Sequence, residues 1–422
     1  MKASRIGFAL LTAAMMVLVY GSGKPQAFHS GGVAECGGCH SMHSPKAGGT
    51  FLLVGTDQSS TCLTCHMHAG DTGPSSYHIA TADADMPVGT APKQRTPGGD
   101  FGWLRKDYTM TIRGTTSTEL GQSHGHNVVA VDASFLADAE NTVAPGGTFS
   151  SSQLGCQSCH DPHSAVRRLA DGTYRTGQTL GGAAQPIIGS GSYDTSLTPA
   201  ATEAVGVYRL LRGLGDSTQG VTFSGVGIAV VPAAYNRTEA ATQTRVAYGA
   251  SGGNTWGTWC ATCHPDMHSS GNYVHPVDQG LGTDVSANYN AYKMSGDLTG
   301  TSANSFTSLV PFIENTGDIT TLKAHAKNND TYLNGPSSSD RVACLSCHRA
   351  HASGFPEMLR FNMEGEFMVY NSLWPGTDLT PTVPQFARGR LSAETQAAYY
   401  DRPVTQFASY QRVLCNKCHA KD

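Results

Sequence analysis

Cys344-Leu345-Ser346-Cys347-His348-Arg349-Ala350-His351 carries two thiols three positions apart, a histidine directly behind the second, and another histidine three positions on. Its first five residues set a pattern that recurs as Cys36-Gly-Gly-Cys39-His40, Cys62-Leu-Thr-Cys65-His66, Cys156-Gln-Ser-Cys159-His160, Cys260-Ala-Thr-Cys263-His264 and Cys415-Asn-Lys-Cys418-His419. All 12 cysteines of the 422-residue chain belong to these units. C-x-x-C pairs alone fit disulfides, redox dithiols or zinc sites. None of these requires a histidine after every pair, a coincidence with a chance on the order of 10⁻⁸ to 10⁻⁹ for independent draws. C-x-x-C-H is the attachment sequence of c-type haem. The two thiols form thioethers to one porphyrin, and the following histidine becomes the proximal iron ligand. The expected cofactors are six covalently bound haem c, with His40, His66, His160, His264, His348 and His419 as proximal ligands.

The composition agrees. Charged residues make up 14% of the chain and aromatics 8%, beside 49 Gly and 20 Pro. Glycine and proline oppose long regular elements, and haem plates supply the buried apolar surface such a chain lacks. The fold expected is a multihaem cytochrome c, mostly coil, with a few short helices and minimal strand wrapped around a stack of six haems. Helices are expected from Thr238 through Tyr248, Val285 to Ser295 and Ser392 through Tyr400, and a short strand from Val207 to Arg212. The net charge of -4 and the lack of a basic stripe exclude nucleic acid as a partner. Lys2 and Arg5 precede an uncharged, mostly apolar run from Ile6 to Tyr20. This reads as a signal peptide over 1–27, leaving one hexahaem unit over 28–422, with no transmembrane segment after its removal.

Eleven histidines remain to close the sixth iron position: His29, His43, His68, His78, His124, His126, His163, His268, His275, His325 and His351. Methionine is the other ligand choice and would raise the potential; Met42, Met67 and Met267 lie near motifs. The histidine surplus favours bis-histidine iron throughout. His43, His163 and His351 each stand three residues beyond a proximal histidine, on nearly the same side of the local chain. Two ligands of one iron come from opposite porphyrin faces, so each of these must reach a different haem. His126, in His124-Gly-His126, is expected as a ligand delivered by a loop, with the glycine admitting close backbone approach. His78 and His325 are similar isolated candidates, and His29 stands near the start of the processed chain. His268 and His275 are weaker candidates, and His68 and His124 read as bystanders.

Eight passages resemble the hexahaem outer-surface cytochromes of metal-reducing bacteria that polymerise into conductive filaments (OmcS type). They are FHSGGVAECGGCHSMH (28–43), CLTCHMHAGDTGPSSYHI (62–79), PGGDFGW (97–103), GHN (125–127), CHDPH (159–163), YNRTEAATQTRVAYG (235–249), CLSCHRAHASGF (344–355) and LCNKCHAKD (414–422). The resemblance implies a coil-rich fold around a continuous stack of bis-histidine haems. It also implies end-to-end assembly, in which His43 ligates a neighbouring protomer's haem, the fifth, held by His348.

The function expected is extracellular electron transfer, from a homopolymeric filament at the outer surface or beyond, toward Fe(III) oxides or other extracellular acceptors and with other multihaem cytochromes as partners. A discrete periplasmic or surface shuttle is the alternative, and a multihaem reductase the third reading. Bis-histidine iron has no open position for a substrate, so an electron-transfer protein rather than an enzyme is expected.

Overall fold

The computed structural model describes residues 36–41, 43–46, 50–74, 78–162, 167–169, 174–175, 204–206, 211–232, 239, 243–269 and 276–419. The signal segment, His29, His163 and His275 lie outside these residues.

The architecture is a mostly irregular chain carrying short helices and small two- and three-stranded sheets. The helices at the motifs form because local side chains close them. Before Cys156–Cys159, the Gly155 amide donates to Ser158 Oγ at 3.0 Å. Before Cys344–Cys347, the Ala343 amide donates to Ser346 Oγ at 3.1 Å. Gln58–His66 is capped by Asp57, whose Oδ1 accepts from the Ser60 amide at 2.7 Å. One-turn helices do not persist alone, and these are held in pairs. Cys156–Cys159 packs on Gln58–His66, Trp256–Cys260 on Cys344–Cys347, and Asn416–His419 on Gly282–Ala291.

Two expected elements differ in detail. The helix through Tyr248 is absent from its described part; Ala247–Gly249 is the middle strand of a sheet, antiparallel to Ile228–Val230 and parallel to Ile313–Glu314. Burial overrides the helical reading, since Val246, Ala247 and Tyr248 are all buried in a cluster with Val230, Trp256 and Leu322. The helix expected from Val285 to Ser295 spans Gly282–Ala291, and Gly296 turns at φ 79°. Of the strand expected from Val207 to Arg212, residues 207–210 lie outside the described residues; Leu211 makes an isolated bridge with His160. Ser392–Ala398 is helical as expected, closed by the Glu394 carboxylate on the Leu391 amide at 3.0 Å.

Three loops cross at one point. Gly99 and Gly125 both bridge Ala352, and the His351 amide donates to the Gly98 carbonyl at 2.7 Å. A Cβ on Gly125 would stand 2.4 Å from the His351 carbonyl oxygen, and one on Gly99 only 1.8 Å from that of Ala352. Gly125 therefore admits the 351–352 backbone; its φ of -175° is open to any residue, so the constraint is steric. Gly125→Ala should cost about 1–3 kcal/mol, read as a lower midpoint of thermal unfolding; an unchanged midpoint would show that the crossing tolerates a methyl group.

Candidate functional site

Three attachment motifs share one clasp. After the second cysteine the proximal histidine leaves the helix in extended conformation and bridges a downstream leucine: His40 with Leu53, His160 with Leu211, His348 with Leu359. The residue after each leucine donates its amide to the carbonyl of the second cysteine: Val54 to Cys39 at 3.0 Å, Arg212 to Cys159 at 2.9 Å, Arg360 to Cys347 at 2.7 Å. In two of the clasps the histidine Nδ1–H donates to the carbonyl two residues before the leucine, His40 to Phe51 at 2.8 Å and His348 to Glu357 at 2.7 Å. Those carbonyls are aimed by paired left-handed residues, Phe51 and Leu52 (φ 62° and 58°) and Glu357 and Met358 (φ 53° and 57°). Left-handed backbone costs a side-chain-bearing residue about 1–2 kcal/mol, and such strain collects where a functional group must be aimed. These clasped motifs are the three that carry a histidine three positions on.

An Nδ1–H bond to an oxygen leaves the lone pair on Nε2, the tautomer an iron ligand needs. His264 has it through Pro145 O at 2.8 Å and His126 through Ala350 O at 2.7 Å. His78 has it through Asp71 Oδ2 at 2.5 Å, and His325 through Glu314 Oε2 at 2.6 Å. The carbonyls of Phe51, Pro145, Ala350 and Glu357 were invisible to motif reading, because a backbone acceptor leaves no residue-type signal.

Two proximal histidines stand opposite histidines from distant segments. The His160 and His351 ring centres are 6.4 Å apart, and those of His264 and His126 are 6.1 Å apart. A metal–imidazole bond of about 2 Å on each side, with about 1.1 Å from nitrogen to ring centre, separates two ligand rings of one metal by about 6 Å. Burial, with His160 close by, lowers His351 to about 3, and burial, with His264 close by, lowers His126 to about 4. Both rings are thus neutral and able to ligate. His351 is also packed against Phe101, with ring centres 4.8 Å apart.

The remaining histidines divide by their partners. His68, read as a bystander, faces His78 at 6.1 Å with planes 12° apart. His325 lies flat on Tyr332 at 4.3 Å. His124 is fully buried and uses both nitrogens, Nδ1 on Trp103 O at 3.0 Å and Nε2 on Glu119 Oε1 at 2.7 Å, so both ring nitrogens are already engaged. His268 spends Nε2 on Asp278 at 3.2 Å. His43 is exposed on the surface segment after the first motif.

The motifs follow one another in space as in sequence. Cys39 lies near Cys62, and the Cys62 thiol hydrogen-bonds that of Cys156. Cys159 lies near Cys263, Cys260 hydrogen-bonds Cys344, and Cys347 lies near Cys415 and Cys418. Contact with Cys156, then burial, pushes Cys62 up, while burial carries Cys159 and Cys347 to about 12. Burial of this kind makes poor thiolate nucleophiles. No disulfide joins the cysteines whose side chains are described. Among the described residues no three His, Cys, Asp or Glu side chains converge to hold a metal ion, so the four-ligand zinc arrangement is not formed there. Paired thiols, a following imidazole and an opposed second imidazole are the donor set of covalent haem, and the residues fit that group.

No protein-family profile matches the chain. It is 50% identical to the C-type cytochrome OmcS of Geobacter sulfurreducens, over 98% of each chain. Two solved structures superpose on it. The cryo-EM structure of OmcS nanowires from Geobacter sulfurreducens matches with TM-score 0.84 and 50% identity, over 94% of this chain and 100% of the other. An outer membrane cytochrome S filament from the same organism matches with TM-score 0.83 and 51% identity, over the same shares.

Proposed function

The chain belongs to the OmcS family of c-type cytochromes, and from that premise we propose that it holds six haems in one continuous array and polymerises end to end. It is an electron-transfer protein rather than an enzyme, and its function is extracellular electron transfer. Each bound haem supplies an iron that takes up and releases one electron.

The protein's own residues attach, orient and connect those groups. Cys36/Cys39, Cys62/Cys65, Cys156/Cys159, Cys260/Cys263, Cys344/Cys347 and Cys415/Cys418 provide the thioether positions of sites 1 to 6. The histidine after each pair provides the proximal ligand. His351 closes site 3 opposite His160, and His126 closes site 4 opposite His264. His78, His325, His163 and His29 are further distal ligands.

One observation carries the assembly reading. The clasp recurs at sites 1, 3 and 5, and the trailing histidine of the site 5 clasp, His351, faces the proximal histidine of site 3. Equivalent clasps present equivalent histidines two sites back. His163, trailing site 3, then serves site 1 opposite His40. His43, trailing site 1, has no site two places back within its own chain. It serves site 5 of the preceding protomer, opposite that copy's His348, and the same rule continues along a filament.

In this reading residues 1–27 are an export signal and 28–422 one unit, placed at the outer surface or outside the cell. The acceptors are extracellular metal oxides or other terminal acceptors, with other multihaem cytochromes as partners. Among the described residues no helix is long and apolar enough to cross a membrane. The test is intact mass together with electron microscopy of secreted protein. Six haem additions and filaments are expected; fewer additions would defeat the count, and solely discrete particles would favour a shuttle.

A further inference from the structure

Five attachment loops hold uncharged pairs between their cysteines: Gly-Gly, Leu-Thr, Gln-Ser, Ala-Thr and Leu-Ser. The sixth holds Asn416-Lys417. A lysine at such a position ordinarily runs its ammonium out to water. Lys417 instead is 4% exposed. Its Nζ donates to the carbonyls of Tyr289 at 3.2 Å and Tyr292 at 2.9 Å, and stands 4.2 Å from the centre of the Tyr289 ring. All these partners are dipoles or ring faces, and among the described residues no carboxylate pairs with it. Arg349, beside the proximal histidine of site 5, differs in being paired with Glu239 at 3.1 Å. Arg360 is the nearest parallel, bonded to the Leu345 and His348 carbonyls, but it reaches site 5 from outside the attachment loop.

We propose that Lys417 sets the reduction potential of site 6, its buried charge, paired with no carboxylate among the described residues, favouring the reduced form there. The inference rests on the reading that Cys415 and Cys418 carry a haem. Ferric iron taking up one electron from the adjoining site 5 becomes ferrous, with no bond made or broken and no proton required. The positive charge at the centre falls by one, and a cation held in low-dielectric surroundings stabilises that change more strongly than a solvated one. Lys417 thereby makes the C-terminal end of the array a place where an electron rests longer.

The test is spectropotentiometric titration of the full, haem-loaded protein carrying Lys417→Gln or Lys417→Arg. Lys417→Gln should lower the ferrous-to-ferric ratio of one haem in six by on the order of tenfold at fixed potential, which is about 59 mV for one electron. The other five components should stay in place, and Lys417→Arg should restore the parent curve. A Lys417→Gln curve superimposable on the parent's would overturn the proposal. So would a shift spread over all six components, as general loosening would produce. Intact mass of the parent keeps the two readings apart: Cys415 and Cys418 without haem would defeat the six-haem reading, whereas six haems with no shift would defeat only the role of Lys417.

Discussion

His43→Ala abolishes end-to-end assembly while leaving each protomer loaded with haem. The concentration needed for filaments should rise at least about 100-fold, equivalent to about 2.8 kcal/mol, as followed by sedimentation and electron microscopy. The side chain is exposed, so its removal costs the protomer no core packing and the loss falls on the interface. The clasp that presents it stays closed by main-chain bonds, Val54 to Cys39 and Ser41 to Leu52, which the substitution does not touch. One haem in six, that of site 5, should then bind carbon monoxide once reduced. Filaments of ordinary length at the parent's concentration would remove His43 from the interface.

His351→Ala acts inside the protomer and opens site 3. Within filaments it should make one ferrous haem in six reactive to carbon monoxide, that of site 3; in isolated protomers site 5, without a neighbour's His43, should react as well. The ring packs against Phe101 and against Gly98, where a Cβ would stand only 2.9 Å from its Nδ1. Emptying that space should also cost about 2–4 kcal/mol of stability. His351→Met keeps a ligand and should raise the potential of one component while excluding carbon monoxide. A His351→Ala protein with no carbon monoxide adduct would show that another group closes site 3.

The attachment chemistry was legible because it is written in adjacent residues. Two thiols and an imidazole within five positions suffice to recognise it, wherever the chain later goes. The helix at Ser392 was legible for a similar reason, since its closing group, Glu394, lies within the first turn. The reading failed at Tyr248, where the chain between the Ile228 and Ile313 strands became a buried strand. A helix expectation there rested on local preference, and the sheet depends on partners some twenty and sixty-five residues away.

The opposed histidines divide the same way. That His351 could not serve its own iron followed from a three-residue spacing. That it stands opposite His160, and His126 opposite His264, came only from the crossing of loops at Gly99, Gly125 and Ala352. By itself the sequence determined the number of attachment motifs, the histidine behind each and the coil-rich character of the chain, because these follow from short-range spacing and composition. The tertiary structure decided which histidines face each other, which carbonyls fix their tautomers, and that Lys417 lies buried beside the last site. Those depend on segments brought together across hundreds of residues, and no local pattern encodes that meeting.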